Sequence, residues 1–127
     1  LRAKLSHLDG WTKKRQQLGK YYSLAIAHPH VGVSDFVEEE HAYHLYVVQS
    51  SKRDTLKTYL QEKGIAVDIH YPLLDYQQPV FTGQSVSQTV LPVSEEITNK
   101  ILTIPCYPEL SIEDAQFVCD AINQWKI

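Results

Sequence analysis

Residues 70–72, His70-Tyr71-Pro72, close the apolar stretch of residues 65–69 and open into a proline-punctuated loop. An imidazole and a phenol leaving a strand end can donate to and accept from ligand oxygens, and the tyrosine ring adds a flat apolar surface. Rigid strand ends that feed irregular loops are common mounts for binding groups. The residues alone leave two readings open. Either His70 and Tyr71 face a ligand, or His70 satisfies a backbone carbonyl while Tyr71 and Pro72 shape the turn.

Other chemistries find less support. Six histidines invite a zinc reading. However, His41 and His44 lie three positions apart in a stretch that reads as a strand, which aims them at opposite faces, and no third or fourth ligand stands at a recognisable interval. Cys106 with His70 could form a nucleophile pair, but a lone cysteine between prolines in an apolar strand reads as packing. The five glycines, at 10, 19, 32, 64 and 83, stand alone, so neither the dinucleotide fingerprint nor a P-loop is present. No metal site and no cofactor site is expected from these residues.

The elements that position His70 follow from periodicity. Leu1, Leu5, Leu8, Trp11, Arg15, Leu18, Tyr22 and Ala25 recur at three- and four-residue steps, predicting one long helix over residues 1–25. At about 1.5 Å per residue it outreaches a small domain, so its first turns are expected to project toward another domain or subunit. No capping residue precedes Leu1, and the chain does not begin with Met, so a piece of a longer protein is expected. Residues 31–40 read as extended or loop, ending in a solvated acidic run, Glu38-Glu39-Glu40. Strands are predicted over 41–49, 65–70 and 103–106.

Between the first two strands, Ser51 should cap a helix that buries Leu56, Tyr59 and Leu60, and Gly64 sits where a left-handed C-terminal cap belongs. This strand, helix, strand unit allows either a parallel crossover or an antiparallel return. A short helix from Ser94 should turn Ile97, Ile101 and Leu102 inward. Ser111 with Asp114 reads as a capping box opening a helix that buries Ala115, Val118, Cys119, Ile122 and Trp125. The fold class expected is α+β, two-layered, with a small, mainly antiparallel sheet covered by helices. The loop of residues 71–93 is long enough to point to function.

Bulk properties bound the class. A chain of 127 residues with 43% apolar and 21% charged residues is one ordinary globular domain, residues 1–127. Six of the twelve basic residues fall in the first twenty positions against one acid, Asp9. Leucines interleave with them at helical spacing and the net charge is -3, so a solvated helix face is favoured and nucleic acid is not expected. Cys106 and Cys119 are too few for a disulfide framework, and reduced thiols point to a cytoplasmic location. No apolar run approaches the roughly 20 residues of a membrane span.

Three stretches together, LRAKLSHLDGWTKKRQQLGKYY, HAYHLYVVQSSKRDTLKTYLQEKGIAVDIHYP and LPVSEEITNKILTIPCYPELS, resemble in order and spacing the C-terminal part of the DegT/DnrJ/EryC1/StrS family of sugar aminotransferases. The resemblance implies the small C-terminal domain of the aspartate aminotransferase fold, with residues 1–25 as the connecting helix. It further implies an intact homodimeric enzyme that uses pyridoxal phosphate to transaminate a nucleotide-linked keto-deoxysugar, with dTDP as the expected nucleotide, in lipopolysaccharide or related sugar biosynthesis.

The family's lysine-bearing cofactor domain would be a missing N-terminal partner. No lysine here sits in a setting like that of the Schiff-base lysine, so the resemblance assigns this chain no catalytic residue and no bound pyridoxal phosphate, and predicts it inactive alone. Carried over by motif, His70 and Tyr71 become substrate-binding candidates that face a sugar nucleotide in the intact enzyme and sit exposed in this chain. Leu74-Asp75-Tyr76 departs from the proline-containing continuation common in the family. The rival class that the elements allow is a free-standing, non-enzymatic ferredoxin-like module for ligand binding or assembly.

Overall fold

The computed structural model describes residues 2–34, 41–85 and 90–127. The acidic run at 38–40 therefore lies outside the described residues. The elements in chain order are α1 (Arg2–Leu5), α2 (Leu8–Ala25), β1 (Tyr46–Gln49), α3 (Arg53–Glu62), α4 (Pro92–Thr98), β2 (Ile101–Ile104) and α5 (Ile112–Asn123). Single 3-10 turns at Asp75–Gln77 and Pro79–Phe81 punctuate the long loop.

β1 and β2 pair antiparallel, with Tyr46 opposite Ile104 and Val48 opposite Leu102. These four side chains share one sheet face and join the buried cluster with Leu18 and Tyr22 of α2, Leu56 and Leu60 of α3, and Val118 and Ile122 of α5. Period-2 alternation puts Val47 and Thr103, also paired, on the opposite face. Single antiparallel bridges extend the sheet on both sides, Gly32 to Gln49 of β1 and Asp68 to Thr103 of β2. The stretch around Asp68 thus runs parallel to β1 with β2 between them. The strand, helix, strand unit of the sequence is a parallel pair split by a third strand.

Several expectations are corrected. The helix over 1–25 is interrupted at residues 6–7, because α1 buries nothing and has no tertiary packing to hold it in line. Leu5 is 65% and Leu8 46% exposed, so the apolar stripe meets the core only in its second half. Residues 41–45 precede the strand rather than opening it, because Tyr43 takes a left-handed φ of 46° that breaks the pleat. His41 and His44 are accordingly not strand residues.

Residues 65–70 keep the alternation of a strand, with Ile65 and Val67 buried between exposed neighbours, yet only Asp68 bridges β2. The Ile69 amide, which faces away from β2, is taken by the Asp68 carboxylate (2.8 Å). β2 lies at 101–104 rather than 103–106, since Pro105 has no N–H to continue pairing. α4 opens with Pro92 at its first turn rather than at Ser94. It buries no residue, and Ile97, expected inward, is 39% exposed, while Ile101 and Leu102 belong to β2.

The start of α3 is served by Ser50 Oγ, which accepts from the Lys52 amide (3.2 Å), not by Ser51. Its end is as read, with Gly64 at φ 78°. The α5 cap also matches: Ser111 Oγ accepts from the Asp114 amide (3.0 Å) and donates to its carboxylate (2.7 Å). Asn123 of α5 closes α2, donating to the Ala25 carbonyl (2.8 Å) and accepting from the Ala27 amide (2.9 Å), which satisfies groups that a helix end leaves unpaired.

Candidate functional site

Thr103 is the anchor from which the site is built. Its backbone exchanges two hydrogen bonds with Asp68, 2.7 Å from the Thr103 amide and 3.2 Å to its carbonyl. Two residues further along, His70 Nδ1 lies 3.0 Å from the Thr103 hydroxyl. His70 is half-buried, while Tyr71 is 68% exposed and meets the imidazole edge-on at 5.4 Å between centroids. The peptide bond joining them is cis. The expectation that both side chains sit exposed holds for Tyr71 and fails for His70, whose ring is held by a side chain rather than by a backbone carbonyl.

Thr103 itself escaped the sequence reading. Its signal was a polar residue inside the apolar run Ile-Leu-Thr-Ile, at the alternation step opposite Leu102 and Ile104.

Beyond Tyr71 the loop is tied back to α4. The Tyr76 hydroxyl donates to Glu95 Oε1 (2.6 Å), and so does the Leu91 amide (3.2 Å). These two donors hold the Glu95 carboxyl below its ordinary range, and the carboxylate in turn raises the Tyr76 phenol. A carboxyl depressed by folding contributes its anchoring fully above the unfolded value, about 4.3, and loses it as pH falls through the lower folded value. Acidification through that window is expected to speed amide exchange in residues 75–81, after correction for intrinsic rates, while leaving α5 protected. Glu95→Gln should remove this pH dependence; exchange in the loop that tracks α5 at every pH would contradict the anchor.

A cavity of about 810 Å³ opens beside His70 and Thr103, with Leu45, Cys106 and Phe117 among its walls. Among the described residues its carboxylates are Asp68 and Asp114, and neither lysine nor arginine lines it. The Cys106 thiol points to the carbonyls of Tyr43 (3.6 Å) and Arg15 (4.0 Å), and burial pushes it up to about 11, partly opposed by Arg15. Such a thiol is protonated near neutral pH and is not an activated nucleophile.

Other histidines serve local structure. His28 Nε2 is 2.9 Å from the Trp125 carbonyl, and His41 Nδ1 accepts from the Tyr43 amide (2.9 Å). Among the described residues no group of three or more His, Cys, Asp or Glu side chains could hold a metal ion, and no helix is long and apolar enough to cross a membrane.

Against known proteins, the sequence profile of the DegT/DnrJ/EryC1/StrS aminotransferase family matches residues 1–123. The chain belongs to the DegT/DnrJ/EryC1/StrS aminotransferase family. It is 33% identical over 132 residues to a pleiotropic regulatory protein of Geobacillus stearothermophilus, covering 98% of this chain and 35% of the relative. It is 30% identical over 126 residues to the dTDP-3-amino-3,6-dideoxy-alpha-D-galactopyranose transaminase of Aneurinibacillus thermoaerophilus, covering 98% and 34%. The crystal structure of DesV from S. venezuelae superimposes with a TM-score of 0.89 at 30% identity, over 98% of this chain and 34% of that one. The chain therefore spans about a third of the length of the relatives it matches, and the α+β fold is that of the corresponding part of these aminotransferases.

Family membership brings pyridoxal phosphate into question, since these aminotransferases depend on it. A site for that cofactor needs a lysine amine for the Schiff base and donors or cations for the phosphate. Among the described residues the cavity beside His70 is lined by no lysine to supply that amine, and its two carboxylates would repel a phosphate. Lys57 is turned to Asp68 (3.6 Å), and Lys100 pairs with Glu96. The residues lining this cavity therefore do not supply the amine that the cofactor's Schiff base needs.

Proposed function

We propose that this chain is the C-terminal small domain of a pyridoxal phosphate dependent aminotransferase acting on a nucleotide-linked keto-deoxysugar, with dTDP as the nucleotide and surface-polysaccharide or related sugar biosynthesis as the setting. The carrying observation is the family match over residues 1–123 in a chain that spans about a third of its transaminase relatives. Such a division assigns the cofactor and its lysine to a separate large domain and leaves this chain the substrate-facing side. His70 and Tyr71 are the proposed substrate contacts, Tyr71 by its exposed ring and His70 by the imidazole nitrogen that Thr103 leaves free.

Exposed apolar side chains support a covering partner. Val80 and Leu91 lie in the long loop, Val93 on α4 at its end, and Leu5 and Leu8 on the overhanging helices α1 and α2. The large domain of the same enzyme is the proposed cover, within a homodimer. The active form is proposed to be cytoplasmic and to need neither nucleic acid nor membrane.

The test is steady-state kinetics of His70→Ala in the intact enzyme. Loss of one hydrogen bond to a substrate oxygen is expected to lower kcat/KM for the sugar nucleotide by about tenfold. Unchanged kcat/KM would remove His70 from the substrate site, and lower thermal stability with normal kinetics would assign it to the turn. Mixed with pyridoxal phosphate, the 127-residue chain is expected to show no saturable imine absorbance; a saturable band reversed by added amine would overturn the division of labour.

A further inference from the structure

Thr103 is a buried polar residue on the cavity wall. Thr103 is 8% exposed, and among the described residues its Oγ1 has one hydrogen-bond partner, His70 Nδ1 at 3.0 Å. If Nδ1 carried the imidazole proton and donated it to Oγ1, the hydroxyl proton would have no acceptor among the described residues, a costly arrangement in a residue only 8% exposed. The pairing that satisfies every group has Oγ1–H donating to the Nδ1 lone pair. The imidazole proton then resides on Nε2, since one ring nitrogen's partner decides which form the other takes.

The geometry makes this hold firm. The same residue's backbone grips Asp68 through two hydrogen bonds, so the His70 backbone and ring are both referenced to one strand residue. Tyr71 packs edge-on against the imidazole. We infer that Thr103 is a positioning residue that sets the tautomer and orientation of His70, so that Nε2–H is presented as a donor to an acceptor oxygen of the sugar nucleotide. This rests on the reading of His70 as a substrate contact.

Two measurements separate the claims. In this chain at about pH 8, above the ordinary imidazole range, ring ¹⁵N spectra are expected to show His70 in one form, protonated at Nε2 and bare at Nδ1. A proton on Nδ1, or shifts averaged between both forms, would overturn the assignment. In the intact enzyme Thr103→Val is expected to lower kcat/KM for the sugar nucleotide about five- to tenfold, and Thr103→Ser to restore it to within about twofold.

Combined with His70→Ala, Thr103→Val should add no further loss, because its effect passes through the imidazole. An equal loss in both backgrounds, or no recovery with serine, overturns the positioning role. If His70→Ala alone leaves kcat/KM unchanged, the substrate reading fails by itself, and the ring spectra still decide whether Thr103 sets the tautomer.

Discussion

Shortening Ile122 to alanine is expected to lower the free energy of unfolding by about 2 to 5 kcal/mol, the range for emptying a fully buried aliphatic site. Ile122 has no exposed surface and lies on α5, whose buried face packs against both α2 and α3. Removing three carbons from such a fully buried position leaves a void that a close-packed interior closes only by giving up other contacts. In a domain whose whole stability is about 5 to 15 kcal/mol, that is a large fraction. Urea unfolding followed by tryptophan fluorescence checks it, with Trp125 at the end of the same buried stripe as reporter. Gln116→Ala, on the exposed side of α5, should stay within about 0.5 kcal/mol of the parent. Similar shifts for the two variants would mean that α5 is not the keystone of the core.

Replacing Gly19 by alanine is the second large effect, and its sign opposes helix propensity. Within a helix, alanine is favoured over glycine by about 1 kcal/mol. At Gly19, though, a Cβ would stand 2.8 Å from two carbons of the Tyr43 ring. That ring has no room to swing away: it is buried, stacked on Tyr46 at 5.8 Å and tilted against His41 at 4.4 Å between centroids. Overpacking of this kind typically costs about 1 to 3 kcal/mol, so Gly19→Ala should be destabilising overall.

Gly10, in the same helix, has nothing within 4 Å of its would-be Cβ. Gly10→Ala should therefore stabilise by up to about 1 kcal/mol. Thermal unfolding of the two variants side by side decides the matter, since only the packed contact can make their signs differ.

The close approach of Gly19 to Tyr43 illustrates what could not be read along the chain. HAYHLYVVQ has the composition of a strand throughout, yet its first five residues are diverted so that the Tyr43 ring can lie across α2 and beside Tyr46. β-propensity expresses fit to a half-buried surface and yields when a neighbouring helix offers a better one. α4 shows the converse. Its apolar residues suggested an inward face, but a seven-residue helix at the rim leaves Ile97 and Val93 to solvent.

Local chemistry set much of this protein from the sequence alone. The Ser111–Asp114 cap, the buried stripe of α5 and the left-handed Gly64 all follow from interactions within a few residues, where spacing determines geometry. The motifs that signal an aminotransferase family were legible for the same reason, and His70 and Tyr71 were visible as a pair of polar rings at a strand end.

Which groups those rings meet was decided only by tertiary structure. The tie between His70 and Thr103 spans 33 residues, and it exists because β2 lies between β1 and the Asp68 stretch in one particular register. A shift of one residue would turn Thr103 toward the core and Leu102 toward the imidazole. Alternation along a strand encodes which faces are apolar, but pairing between distant strands settles which side chains touch. For this chain, that pairing turns a half-buried histidine into one held by a named hydroxyl.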